Sequence, residues 1–459
     1  MTGRVTVNPK TLPIAPGWSH AVKAGGWIFG SGMMATDYAT GLSEAVLPET
    51  QAPWLSEPLG EESRLIIESI EQVLNDAGAD IKSDLIRVWQ WIKAVYPDDA
   101  SYAASRMLWP RFPNGTAYAR NYAQLVTDGL RASTGIGVRE LPIPGALLSV
   151  DYLAVEPRDG VEKEAIALPD DMPKPRAGYA PIVRHGDWIF LSGYGGVDFQ
   201  GDWMRSEHMG ELGMLAPEAR INPYIWVGSE IEAQMEYTLQ GIARMAEAAG
   251  SSLERAVKAD VTITTPADFP GMDRVWKKYF PGGGPARNVM TGAQTVLKGV
   301  RLEVAMVFLT NASDQQIEII EVPGIGAPIG HAPQAIHAGD FLFTSTLLPV
   351  DETRRVPQLS RNDLRAPRFR SVVKMQTELL VAQVDQLCTA AGSSLRNVCK
   401  VQSFMADLAH LPEMLNVWRD AFPESPPALS AVEMGGSTAP LILPDAVLQW
   451  DVIAYAPRT

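Results

Sequence analysis

Gly25-Gly26-Trp27-Ile28-Phe29-Gly30-Ser31, Gly186-Asp187-Trp188-Ile189-Phe190-Leu191-Ser192 and Gly339-Asp340-Phe341-Leu342-Phe343-Thr344-Ser345 are one phrase written three times. The copies recur at roughly 150–160-residue spacing, far longer than the unit of a stacked solenoid, so each repeat needs its own core. Around the first copy, Val22–Phe29 reads as a β-hairpin whose turn is the glycine pair. The markers that follow keep the same order in each copy. A helical stripe ends at Ala77-Gly78, Ala249-Gly250 or Ala391-Gly392, with the glycine placed as a cap. A β-rich run comes next, at Leu85–Val95, Val257–Ile263 and Val398–Phe404.

A second helix is predicted over Phe269–Tyr279 and Leu411–Ala421, and the corresponding segment of the first copy ends at Phe112-Pro113. Closing strands are expected near Leu147–Val155, Val300–Leu309 and Val447–Tyr455. The unit therefore reads β-β-α-β-α-β-β, an α+β domain with two helices on one face of a mixed sheet. Three such domains are expected at 1–157, 174–311 and 322–459, joined by the polar, Pro-rich stretches Val155–Pro175 and Thr310–Pro328. Two long insertions, Ser43–Gly60 and Gln200–Gly228, are the length of functional loops.

Composition narrows the partners. The 459 residues carry a net charge of −14, which leaves no basic footprint for nucleic acid. No apolar run reaches membrane-spanning length, and the first residues lack the apolar stretch of a signal peptide, so the cytoplasm is the expected location. The six histidines and two cysteines form no ligand-spaced cluster, and no phosphate-binding glycine loop follows a strand. The expectation is a small-molecule substrate handled without metal or organic cofactor.

The chemistry-bearing stretch is Gly282-Gly283-Gly284-Pro285-Ala286-Arg287-Asn288, followed sixteen positions on by Glu303 in Leu302-Glu303-Val304. A strand and its return fit that spacing, which would set Arg287 beside Glu303. Two readings follow: a guanidinium that clamps a carboxylate while Glu303 handles a water, or a structural ion pair. The first copy offers Arg120-Asn121 and, on its closing strand, Ser149 and Asp151, which share a face. The third has Leu429 in place of the arginine, with Gln449 and Asp451 on its closing strand.

The ordered set Leu191-Ser192-Gly193, Ala248-Ala249-Gly250-Ser251-Ser252-Leu253, Tyr279-Phe280 and Pro285-Ala286-Arg287-Asn288 resembles the RidA/YjgF family of imine and enamine deaminases. The second copy fits best, the third departs at Leu429, and the first is the most divergent. The resemblance implies a chorismate-mutase-like fold, and three fused copies imply a covalent pseudo-trimer with a central β-barrel, further association being left open. It implies clefts between copies, and hydrolytic deamination of a carboxylate-bearing enamine or imine of the aminoacrylate or aminomuconate type. Arg287 and Glu303 match the family's catalytic pair, and Arg120 matches its arginine. The cleft aromatic and serine correspond to Trp18-Ser19 and Tyr179-Ala180, and in the third copy to His331-Ala332. The polar helix residue of the cleft corresponds to Ser105, Asp273 and Leu415, with Asn288, Asn121 and Asp151 as further substrate contacts. The alternative is a metabolite-binding or scaffold protein whose clefts have degenerated.

Overall fold

The computed structural model describes residues 3–47, 57–94, 116–127, 129–175, 178–198, 215–221, 229–293, 295, 299–357, 371–436 and 438–458. Ser105, Trp203, His208 and Trp226, the segment ending at Phe112-Pro113 and most of the two long insertions lie outside them.

Each copy builds one six-stranded sheet backed by two helices. The first runs β1 (Val5–Val7), β2 (Ala21–Ala24), β3 (Trp27–Gly30), α1 (Pro58–Ala77), β4 (Leu85–Lys93), α2 (Thr116–Leu125), β5 (Ala132–Val138) and β6 (Leu148–Val155). The second runs β7 (Lys163–Ile166), β8 (Ile182–His185), β9 (Trp188–Leu191), α3 (Glu230–Ala248), β10 (Ala256–Ile263), α4 (Phe269–Tyr279), β11 (Ala286–Thr291) and β12 (Leu302–Leu309). The third runs β13 (Ile317–Ile320), β14 (Ala335–Ala338), β15 (Phe341–Thr344), α5 (Val372–Ala390), β16 (Val398–Met405), α6 (Leu411–Ala421), β17 (Ala428–Glu433) and β18 (Leu448–Tyr455). The order across the second sheet is β11-β10-β12-β9-β8-β7, and the other two sheets repeat it.

Two expectations need correction here. Each unit opens with one more strand than predicted, and in copies two and three that strand lies inside the segment read as a linker. β7 pairs with β8 and β13 with β14, so these sheets begin before 174 and before 322. β7 reads Lys-Glu-Ala-Ile and β13 Ile-Glu-Ile-Ile, four-residue edge strands too short to stand out from the polar, Pro-containing chain around them.

The helices form where the stripes predicted. Ile66, Ile70, Val73 and Leu74 of α1, like Ile231, Met235, Leu239, Ile242 and Met245 of α3, are buried against their own sheet. Gly78, Gly250 and Gly392 all take positive φ just past these helices, where a Cβ would strain the backbone. Among the described residues no helix is long and apolar enough to cross a membrane.

The three sheets meet in a closed cycle of unlike junctions. Ser133 N–H donates to Ser192 Oγ at 2.9 Å, and Gly193 N–H to the Ser133 carbonyl at 3.1 Å, joining copies one and two. Arg287 N–H donates to Ser345 Oγ at 2.8 Å, and Thr346 N–H to the Arg287 carbonyl at 3.0 Å, joining copies two and three. Leu429 N–H donates to Ser31 Oγ at 2.9 Å, and Gly32 N–H to the Leu429 carbonyl at 3.1 Å, joining copies three and one. The serine that closes each opening phrase is the shared fastener.

Ion pairs repeat the cycle in the interior. Arg87 meets Asp260 at 3.1 Å, Lys258 meets Asp451, and Lys400 meets Asp151 at 3.3 Å. Each pair bridges two copies and all six side chains are buried. Burial pushes the Asp451 carboxyl up to about 6 despite Lys258 beside it. An uncompensated charge at this depth costs several kcal/mol, so the pairs hold the copies in one mutual arrangement.

Candidate functional site

Strand register fixes which residues are equivalent. Ala259 pairs with Arg287, Val88 with Ser133 and Val401 with Leu429, each one residue after a buried base on the same strand. Ser133, Arg287 and Leu429 therefore hold one position in the three copies, and their shared pattern of main-chain bonds agrees. Thr262 pairs with Glu303, Trp91 with Ser149 and Phe404 with Gln449, which makes Glu303, Ser149 and Gln449 a second equivalent set.

Arg120 does not hold the strand position expected of it. It sits on α2, about half exposed, and pairs with Glu57, while Asn121 donates to the Gly60 carbonyl at 2.6 Å. The Arg-Asn dipeptide matched a strand motif by composition alone. The long divergent segment before it removed the spacing that would have exposed the error.

Arg287 and Glu303 do not meet either. β10 runs between their strands, and three residues of register separate them, roughly 10 Å along the strand direction. Alternation also puts them on opposite faces of the sheet. Val289, two residues from Arg287, packs on the helix side with Met272 and Trp276, whereas Leu302 and Val304 take that side around Glu303 and turn it away.

Three different junctions result. Between copies two and three, Arg287 is wholly buried and its Nη2 holds Asp273 at 2.6 Å. Its guanidinium carbon lies 4.9 Å from the Trp276 ring and 5.6 Å from Phe269. Asp273 also accepts the His331 N–H at 2.9 Å, and His331 Nε2 lies 2.7 Å from the Phe280 carbonyl. Gly330 crosses so close that a Cβ there would fall 2.7 Å from Arg287 Nη2. Burial lowers the Arg287 pKa and Asp273 opposes the shift. Asn288 is buried, its Oδ1 accepting from Thr346 Oγ1 at 3.2 Å. The residue in the glutamate position is Gln449, which donates to the Val289 carbonyl at 2.8 Å.

Between copies one and two, Glu303 is buried against the phrase that ends Ser192-Gly193. Burial alone pushes its carboxyl up to about 8, and Oε2 has no hydrogen-bond partner among the described residues. Gly193 leaves the carboxyl its place: a Cβ there would lie 1.7 Å from Glu303 Oε1. Tyr179 stands close enough that, besides its own burial, the Glu303 charge helps raise its pKa. Tyr179, Ser192, Gly193 and Tyr194 line a cavity of about 40 Å3, with Leu168 and Met245 among its apolar walls. That volume suits one or two waters. The position that would carry the arginine here is Ser133.

Between copies three and one, neither charge is present. Leu429 is core, Leu415 packs in the same cluster, and Ser149 stands where a glutamate would. Trp18 packs edge-on against Tyr38 at 5.7 Å, and Ser19 Oγ donates to the Pro426 carbonyl at 2.8 Å. Asp151, expected as a substrate contact, accepts from Trp91 Nε1 at 3.0 Å and from Gln402 at 2.9 Å, and it pairs with Lys400 in the interior. It belongs to the ion-pair cycle.

Sequence reasoning missed that cycle, although its signal was present. Leu85-Ile86-Arg87, Ala256-Val257-Lys258 and Val398-Cys399-Lys400 each place a base third in the strand after the long helix. A base recurring at the same buried register three times marks a structural position.

Comparison with known proteins covers the better-preserved copies. The family described as Endoribonuclease L-PSP matches residues 170–309 and 325–441, together more than half of the chain. A RutC family protein of Pyrococcus horikoshii is 32% identical over 138 residues, which is 30% of this chain and 97% of that protein. The 3-aminoacrylate deaminase RutC of Acinetobacter baylyi is 28% identical over 138 residues, 30% of this chain and 97% of its own length. Among solved structures, E. coli TdcF with bound serine is 26% identical, covering 31% of this chain and 99% of that one, with a TM-score of 0.25. The match of the family model over more than half of its length places the chain in the Endoribonuclease L-PSP (RidA) family.

Proposed function

We propose that the chain hydrolyses an enamine or imine C–N bond at the junction of copies one and two, with Glu303 as its acid and base. The observation that carries this reading is a buried carboxyl raised to about 8, packed against Gly193 with one oxygen unpartnered among the described residues. A carboxyl still protonated at neutral pH can deliver a proton to an enamine carbon and form the imine. The resulting carboxylate then accepts a proton from water as the water oxygen bonds to the imine carbon. Return of that proton to nitrogen expels ammonia, and the hydroxyl of the collapsing carbinolamine gives its own proton to the Glu303 carboxylate, which leaves a carbonyl and restores the acid. Several relatives carry deaminase names, among them the RutC enzyme above and a 2-iminobutanoate/2-iminopropanoate deaminase of Dermatophagoides farinae.

The substrate in this reading differs from the small carboxylates of those names. Ser133 offers no cation beside Glu303, and the nearby cavity walls are largely apolar. The cavity has room for the attacking water alone, and with serine in the arginine position an uncharged enamine or imine fits this junction better than one recognised through an α-carboxylate. The three junctions and three bridging ion pairs support a covalent pseudo-trimer enclosing a barrel-like centre.

Ammonia release from 2-aminoacrylate and from uncharged enamines, measured for wild type, Glu303→Gln and Arg287→Met, tests the proposal. Turnover of an uncharged enamine that falls at least a hundredfold in Glu303→Gln supports it. Turnover no faster than solution hydrolysis, or undiminished in Glu303→Gln, ends it. The second reading, a non-catalytic metabolite-binding protein, draws on the separation of Arg287 from Glu303. Ligand-dependent thermal stabilisation without ammonia release would favour it.

A further inference from the structure

The tips of the three opening hairpins, Gly25-Gly26, Gly186-Asp187 and Gly339-Asp340, surround an open cavity of about 470 Å3. That is the size of a small-molecule site, and it belongs to none of the three junctions above. Its inner end is aromatic: Trp27 stacks on Phe341 at 4.5 Å and meets Trp188 edge-on at 4.8 Å. The charged side chains around it divide into engaged and free. Asp187 accepts from Ser313 Oγ at 2.9 Å and from Gln315 Nε2 at 3.0 Å. Arg458 Nη2 lies 3.4 Å from Glu318 and 3.3 Å from the His337 carbonyl.

Arg158 and Asp340 remain, and neither side chain has a hydrogen-bond or ion-pair partner among the described residues. Arg158 comes from the end of copy one and Asp340 from the hairpin of copy three. The guanidinium folds over Gly26, where a Cβ would fall 2.7 Å from its Nη2, so the glycine leaves it a place at the cavity wall. His185 adds no charge, because burial first and then Arg158 lower its pKa.

We infer that this cavity binds a free α-amino acid with an apolar or aromatic side chain. The α-carboxylate is taken by Arg158, the α-ammonium by Asp340, and the side chain lies against the ring edges of Trp27, Trp188 and Phe341 that line the inner end. A simple anion would leave Asp340 facing it with like charge, and a simple cation would do the same with Arg158. A zwitterion satisfies both, and the aromatic floor supplies apolar contact in addition.

Titration calorimetry and tryptophan fluorescence with L-phenylalanine test the assignment on the full chain. The expected result is saturable binding that weakens at least tenfold in Arg158→Gln and in Asp340→Asn, both with unchanged melting temperature. N-acetyl-L-phenylalanine, which lacks the ammonium, and 2-phenylethylamine, which lacks the carboxylate, should each bind at least tenfold more weakly. Glu303→Gln should bind L-phenylalanine like wild type, which separates this site from the proposed reaction centre. No binding of L-phenylalanine or L-leucine overturns the inference. So does an affinity indifferent to both substitutions, binding abolished by Glu303→Gln, or N-acetyl-L-phenylalanine bound as tightly as the free amino acid.

Discussion

Glu303 Oε1 occupies the space where a side chain at position 193 would begin, 1.7 Å from the Cβ that Gly193 lacks. The carboxyl position and the glycine are one device. Gly193→Ala should push the carboxyl aside, lower turnover at least tenfold and lower the melting temperature by several degrees. Thermal unfolding and ammonia release measured on the same preparation check this. Undiminished turnover would mean that the carboxyl acts from another position.

Stability should depend on pH through the same group. The folded carboxyl holds its proton up to about pH 8, against an ordinary value of 4.5. The folded state therefore binds more protons than the unfolded one in that window, and stability falls as pH rises through it. Glu303→Gln should flatten the slope between pH 5 and 8 and be more stable than wild type at pH 8.5, by denaturant unfolding. Turnover should decline above about pH 8, as the acid form disappears.

Gln449→Glu would place a carboxyl of the same shape at the junction that already has Arg287. Gln449 donates to the Val289 carbonyl, and a protonated glutamate can keep that bond. The expected outcome is new deamination of 2-aminoacrylate that disappears when Arg287→Met is added. If no activity arises, the Asp273 pair and the Gly330 crossing keep substrate from the guanidinium.

Lys258→Met removes one cation from the interior cycle and leaves Asp451 without its pair. Loss of a buried partner costs about 3–5 kcal/mol. Adding Asp451→Leu should recover most of that loss, since both charges are then gone. Urea unfolding of the single and double variants checks the sign, and equal losses in both would show that packing, not charge, dominates there.

Much of the fold was legible because its signals are local. The glycine caps, the helical stripes and the repeated hairpin phrase act within a few residues, and α4 and α6 begin and end where the sequence placed them. The reaction centre was less legible, because it depends on sheet order and on strand parity. Arg287 and Glu303 are near in sequence and share a sheet, yet one intervening strand and the two-residue alternation separate them. Arg120 was misplaced because a short composition match is blind to whether the backbone around it is helix or strand. The interior bases were overlooked for the opposite reason: each looks ordinary alone, and only the register of three strands shows them to be one set.

The serine fasteners have a consequence for how such a chain can change. In an assembly of identical subunits every substitution is written at all contacts at once, so a harmful change cannot be confined. Here the equivalent positions read Ser133, Arg287 and Leu429, and each contact drifts on its own account while the other two hold the cycle closed. A covalent ring of unlike contacts can try a new chemistry at one seam and keep the old architecture at the others.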